Sequence, residues 1–253
     1  MRQLLWKEWH EQGWKLAFGC IVLAAIAMIG LHSRMIPDAT LIQGICLLGA
    51  TMLPVLASTG LVPAERAEGT LESLLAIPVA PWRILLSKTA MGLLLCVGPV
   101  LVAAVVTVVM AGGRERLTAD ILGQYGRAAL TGISLFIWMM ALTIRLPSEA
   151  RAAMLAVGLV IFWAIASAGL AFSMLHSNVF AISPAVFLFP KIPLVSADTS
   201  GIDATIHYDA YNYYGRPLAD GPPLLADLLV QLAILGLLWL LSVRMFVRVE
   251  DQS

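Results

Sequence analysis

Charge is the scarcest property of this sequence: only 13% of its 253 residues are Asp, Glu, Lys or Arg, split into 16 basic and 16 acidic side chains. Soluble globular chains carry about 25%. With 60% of residues hydrophobic and a mean hydropathy of +0.87, a water-soluble globular fold is excluded. A net charge of zero and the lack of a continuous basic stripe exclude a reader of phosphate backbones. Cysteine is nearly absent. Cys20, Cys46 and Cys96 all fall inside apolar runs with no C-x-x-C spacing, so they read as small hydrophobes rather than metal ligands or a disulfide framework. There is no H-E-x-x-H, no G-x-S-x-G and no Gly-rich phosphate loop ending in Gly-Lys-Ser/Thr. The chain is therefore read as no enzyme and as holding no cofactor of its own. Solenoid repeats, heptads and low-complexity tracts are missing too.

What is present is a series of six stretches free of Asp, Glu, Lys and Arg, at 16–33, 39–64, 89–113, 128–144, 152–190 and 228–243. A helix needs about 20 apolar residues to cross the hydrocarbon, so the pattern predicts an all-α polytopic membrane protein with six transmembrane helices. The fifth stretch is too long for one crossing. Pro184, Pro190 and Pro193 in its second half predict a span ending near Met174, followed by re-entrant half-helices at or dipping into the outer interface. No ionisable side chain falls near the middle of a span, which disfavours ion-coupled pumps, and no ring-forming charges suggest a channel. The polar side chains there, Gln43, Thr51, Ser58, Thr107, Ser134, Ser167 and Gln231, read mainly as joints between helices. The Ala152/Ala156 and Ala164/Ala168 spacings suit close helix packing.

Basic residues orient the chain. With the N-terminus inside, the inner flanks hold Arg2, Lys7, Lys15, Arg66, Arg83, Lys88, Arg145, Arg151, Arg244 and Arg248; the outer flanks hold Arg34, Arg114, Arg116, Arg127, Lys191 and Arg216. Both termini are predicted cytosolic. A cleaved signal peptide ending near Ala25-Ile26-Ala27 is the competing reading of the first span. Glu8, Glu11 and the bulky Trp6, Trp9 and Trp14 are unlike a positive leader.

Residues 1–14 read as an amphipathic interfacial helix ahead of a transmembrane domain over 15–253. Leu5, Trp6, Trp9 and Gly13 share one face, and Lys7, Glu8, Glu11 and Lys15 lie opposite, an arrangement suited to lying flat on the inner leaflet. Trp6, Trp9, Trp14 and, further on, Trp82 are predicted to anchor the chain in the headgroup zone.

The cytosolic loop 63–88 carries the most information. Thr70 reads as an N-cap, Glu72 sits in the first turn where a negative charge suits the dipole, and Pro78 stops the helix. Leu71, Leu74 and Leu75 form one apolar face. Burying each leucine stabilises by about 1.5 to 3 kcal/mol, so the inner membrane surface or a groove in a partner protein must cover them; the residues do not choose between the two. Pro81 opens the next helix, with Trp82, Arg83 and Lys88 anchoring the third span. In the outer segment 175–223, Tyr208, Tyr211, Tyr213 and Tyr214 lie beside His207, Asp203 and Asp209. They read as an interfacial tyrosine belt, and a metal-handling site is the weaker alternative because the spacing is irregular. Without a phosphate loop, energy for any directional work must enter from another polypeptide.

The stretch Glu65 to Lys88, with Glu65 and Glu68 leading into Gly69-Thr70-Leu71-Glu72-Ser73-Leu74-Leu75 and closing at Pro78, resembles the cytosolic loop of ABC-2 type exporter permeases. The N-terminal helix beginning Leu5-Trp6-Lys7-Glu8, the six spans, the large outer segment and the tail with Arg244 and Arg248 are similar to that family. The resemblance implies a cell-membrane (inner-membrane) permease subunit that pairs with a second permease, as homodimer or heterodimer. It would bind two cytosolic ATPase subunits, which hold the ATP and Mg. Gly69 to Pro78 would be the coupling helix, Glu65, Glu68 and Glu72 polar contacts to the ATPase, and Leu71, Leu74 and Leu75 its buried face. The alternative is a non-transporting membrane scaffold or assembly factor that docks a soluble partner. No residues here point to copper-enzyme maturation, and the pair Met139-Met140 reads as lipid-facing or core.

Overall fold

The computed structural model describes residues 2–33, 38–70, 79–110, 115–176 and 224–250, and among them every regular element is a helix. In chain order these are α1 (Arg2–Ser33), α2 (Asp38–Leu61), α3 (Pro63–Ala67), α4 (Pro81–Met110), α5 (Glu115–Thr143), α6 (Glu149–His176) and α7 (Leu224–Glu250). Four stretches among the described residues are long and apolar enough to cross a membrane: Gln3–Ser33, Gly44–Ala67, Pro81–Met110 and Leu122–Thr143. A shorter apolar helix runs over Leu232–Val247. In hydrocarbon the backbone must satisfy its own hydrogen bonds, which is why such runs become helices. The same condition lets Pro54 inside α2 and Pro99 inside α4 survive where neighbouring helices shield the freed backbone groups.

The first helix departs from expectation. Residues 1–14 are not a separate element: α1 runs 32 residues without interruption, about 48 Å at 1.5 Å per residue. Nothing between Trp14 and Leu16 breaks a helix. The polar stripe before it finds partners on α3 and α4, which holds this segment to the bundle. Within the second span α2 ends at Leu61 and Pro63 starts the separate helix α3, the apolar stretch continuing through both to Ala67. Pro81 opens α4 as expected, and Arg83 N–H returns to Ala80 O at 2.9 Å. α5 begins well before residue 128 and carries a polar first third.

Among the described residues, buried side chains form three clusters. One joins Leu23, Ile42, Cys46, Val100 and Tyr125; a second joins Leu61, Ile84, Leu85, Phe136, Met140 and Phe246; a third joins Leu135, Met139, Ala156 and Trp163. Cys46 and Cys96 are buried, Cys20 is half-buried, and all three are free thiols. Met139 and Met140 are core: the Ser58 hydroxyl donates to Met139 Sδ at 3.7 Å and the Thr89 hydroxyl to Met140 Sδ at 3.5 Å. Thr107 and Tyr125 share a hydroxyl–hydroxyl bond of 2.8 Å that joins α4 to α5, while the hydroxyls of Thr51, Ser58, Thr89 and Thr107 each also reach a carbonyl of their own helix. Gly92 is required by packing, since a Cβ there would collide with the Phe136 ring. Phe18, Ile21, Val105, Met154 and Ile165 are exposed, as suits a lipid-facing rim. The half-helices and the tyrosine cluster expected between 177 and 223 lie outside the described residues.

Candidate coupling site

α3 is a single turn and a half of helix, and its ends explain its position. Pro63 presets its first turn, where a missing N–H costs nothing. Glu68 N–H bonds Ala64 O at 3.0 Å and Gly69 N–H bonds Arg66 O at 3.2 Å. Gly69 has φ +72°, the left-handed conformation that favours glycine after a helix end. Gly69 thus terminates α3 and redirects the chain into the leucine-edged segment. Thr70 donates its hydroxyl to Glu65 O at 3.3 Å, closing the turn over the end of α3.

Glu65 does not point outward. It is 5% exposed, and its Oε1 lies 2.7 Å from both Lys7 Nζ and Lys88 Nζ. Lys88 Nζ also sits 2.7 Å from Glu8 Oε1, with Lys88 1% and Glu8 3% exposed. Lys7 reaches Glu11 at 3.4 Å at the rim. One turn further along α1, Gln12 Nε2 donates to Gly60 O at 2.9 Å, satisfying a carbonyl in the last turn of α2. Three stretches distant in sequence are therefore pinned at one ionic hub. The expected polar contact of Glu65 with a partner is corrected to an internal brace. Lys88, expected as an interface anchor, is corrected to the hub's centre, because a buried ammonium is stable only when paired and hydrogen-bonded. The carboxylates of Glu8, Glu11 and Glu65 lie within 4.8 Å of one another. These carboxylates are already paired with the ammonium groups of Lys7 and Lys88, and two fixed cations beside them do not suit a metal centre.

Arg66 turns the other way. Its Nη1 donates to Leu146 O at 3.4 Å, in the turn joining α5 to α6. That turn is ordered by Leu146 N–H on Thr143 O at 2.9 Å and by Ala152 N–H on Ser148 O at 3.1 Å. Through adjacent residues, α3 grips α1 and α4 on one side and the α5–α6 turn on the other.

Of the residues singled out from sequence, Glu68, Gly69 and Thr70 are exposed beyond the hub. Leu71, Glu72, Leu74, Leu75 and Pro78 lie outside the described residues. Trp6, Trp9, Trp14 and Trp82 are exposed. The Arg83 guanidinium stands 5.3 Å from the Trp82 ring and Lys15 Nζ 5.8 Å from that of Trp14, within cation–π range.

A family model described as ABC-2 family transporter protein matches residues 6–167, more than half of the chain and the whole of the hub. The chain belongs to the ABC-2 transporter family. Among curated proteins no relative matches the sequence. In this ABC-2 family member, sequence reasoning passed over Gln12 and missed that Glu8 and Lys88 pair with each other. The signal for Lys88 was available: a lysine followed by an apolar run with no further charge until Arg114 needs a buried partner if its helix packs on all sides. Glu8 and Glu11 were the carboxylates of the first helix available to it.

Proposed function

We propose that the chain is the membrane-spanning subunit of an ABC exporter, driven by a separate cytosolic ATPase. α6 and α7 complete six spans in this reading, both termini are cytosolic, and a second permease subunit forms the other wall of the pathway in the cell membrane. Leu71, Leu74 and Leu75 dock in a groove of the ATPase, with Glu68 and Glu72 as polar contacts. ATP and Mg belong to that partner, since the chain carries no phosphate-binding loop.

One observation carries the reading. α3, the element immediately before the leucine-edged segment, is tied by Glu65 to Lys7 of α1 and Lys88 of α4 and by Arg66 to the α5–α6 turn. A displacement of the loop is thereby delivered to the helices of the bundle rather than lost in a flexible tether. A protein that merely displayed a docking loop would gain nothing from that rigidity. The test is recovery of a co-expressed ATPase with the tagged permease, compared between the native chain and a Leu74→Asp, Leu75→Asp variant. Loss of ATPase from the variant supports the assignment, and unchanged recovery contradicts it.

A further inference from the structure

Among the described residues, α2 leaves one row of large side chains exposed, Leu48, Met52 and Leu56, four apart and so on one face of the helix. That row lies between two other helices. On one side α1 packs close, with Leu53 against Gly19, Leu23 against Gly49, and the Lys15 ammonium against Gly60, where a Cβ would collide with it. On the other side Leu47 and Val55 pack with Ala156 and Trp163 of α6. At 3.6 residues per turn the row falls about midway between these two contact faces. Its side chains are 40%, 47% and 48% exposed, against 77% for Met154 on the open face of α6, so the row is the floor of a furrow. From Leu48 to Gly60 the furrow runs about 18 Å at 1.5 Å per residue, close to the ~15 Å of hydrocarbon in one leaflet.

Two opposite charges stand at the Gly60 end. Lys15 is half-buried, with its ammonium 5.8 Å from the Trp14 ring. Glu149, exposed in the first turn of α6, is within electrostatic reach of Lys15, yet the two are not in ion-pair contact. The ion pairs among the described residues are those that Lys7 and Lys88 make in the hub. Arg66 is held at Leu146 O, and Arg145 and Arg151 are exposed on either side of the α5–α6 turn. A half-buried ammonium at a membrane boundary calls for an anion. A hydrocarbon-lined furrow ending in a separated cation and anion is complementary to a lipid that carries both a phosphate and an amine.

We propose that the furrow between α1 and α6 is a phospholipid site selective for an ethanolamine headgroup. An acyl chain lies along Leu48, Met52 and Leu56, the phosphate pairs with Lys15, and the primary ammonium of the headgroup donates to the Glu149 carboxylate. The lipid thereby ties α1 to α6 where the two side chains do not reach each other. A choline headgroup has no N–H to donate. An anionic glycerol headgroup satisfies Lys15 and opposes Glu149; with Arg145 and Arg151 exposed nearby, it is the competing occupant. The site is independent of what drives transport.

Native mass spectrometry of the purified, delipidated full-length protein tests this, with phosphatidylethanolamine, phosphatidylcholine and phosphatidylglycerol of identical acyl chains added in turn. The native protein should hold the ethanolamine lipid about fivefold more tightly than the choline lipid, the upper worth of an exposed ion pair. Glu149→Ala should remove that preference, Lys15→Gln should weaken retention of both lipids, and Arg244→Gln, on α7, should change neither. Equal retention of the ethanolamine and choline lipids by the native protein, tighter retention of the glycerol lipid, or a preference that survives Glu149→Ala overturns the proposal. Heat denaturation gives a second reading that needs no variant. The ethanolamine lipid should raise the native midpoint more than the choline lipid does; an equal rise with both contradicts the site.

Discussion

Lys88 and Glu8, 80 positions apart in the chain, meet with nitrogen and oxygen 2.7 Å apart in a buried hydrogen bond. That contact ties the first helix to α3 a second time, beside the direct Lys7–Glu65 pair, because the same ammonium also holds Glu65 of α3. A buried ion pair of this kind is weak evidence for net stability, but removing one partner leaves a charge with nowhere to go.

Lys88→Met should therefore destabilise the protein by about 3 to 5 kcal/mol, visible as loss of folded material and a lower denaturation midpoint in detergent. Glu8→Gln should be much milder, since the amide keeps the shape and adds a donor. The double variant Glu8→Gln, Lys88→Met should be more stable than Lys88→Met alone. Additive effects of the two single changes would show that the residues are not coupled.

Gly92→Ala should cost about 1 to 3 kcal/mol, because its new methyl group meets the Phe136 ring in the second core cluster. Trimming the ring in Gly92→Ala, Phe136→Leu should recover part of that loss. Denaturation midpoints of the native protein and the two variants decide it, and a neutral Gly92→Ala would show that α4 and α5 are not in close contact there.

Much of this architecture was legible in the sequence, because apolar run length is a direct readout of what hydrocarbon allows. The start of α4 at Pro81 followed from a proline's fixed φ. The continuity of α1 was harder to see. A face carrying Lys7, Glu8 and Glu11 reads as water-facing when considered alone, and only the positions of Glu65 and Lys88, far away in the chain, turn it inward. Glu65 was misread for the same reason: a glutamate in a short loop helix suggests a solvent or partner contact, and its two ammonium partners are invisible to local pattern. Gly69 was grouped with the helix after it, whereas its positive φ makes it the end of the helix before it.

Gly69→Ala should leave the fold in place at a cost of about 1 to 2 kcal/mol, since none of the described residues lies within 4 Å of an added Cβ and its φ of 72° opposes the change. The larger effect should fall on partner recovery, because the direction in which the chain leaves α3 is altered. Equal ATPase recovery from native and Gly69→Ala protein would argue that this exit direction is not used.

The exposed rings of Trp6, Trp9 and Trp14 should report the headgroup zone. In single-tryptophan variants, lipids brominated near the headgroup should quench them more than lipids brominated near the chain ends. Deeper quenching would place this end of α1 within the hydrocarbon and move the hub with it.

The central claim is that force enters from the cytosol through the segment that follows α3. Glu68 is exposed beside that segment, so the direct measurement is labelling of Glu68→Cys, with the three native cysteines replaced by alanine, using a membrane-impermeant maleimide in sealed vesicles. The account predicts labelling in inside-out vesicles and none in right-side-out vesicles; labelling from the outer face of right-side-out vesicles would contradict it.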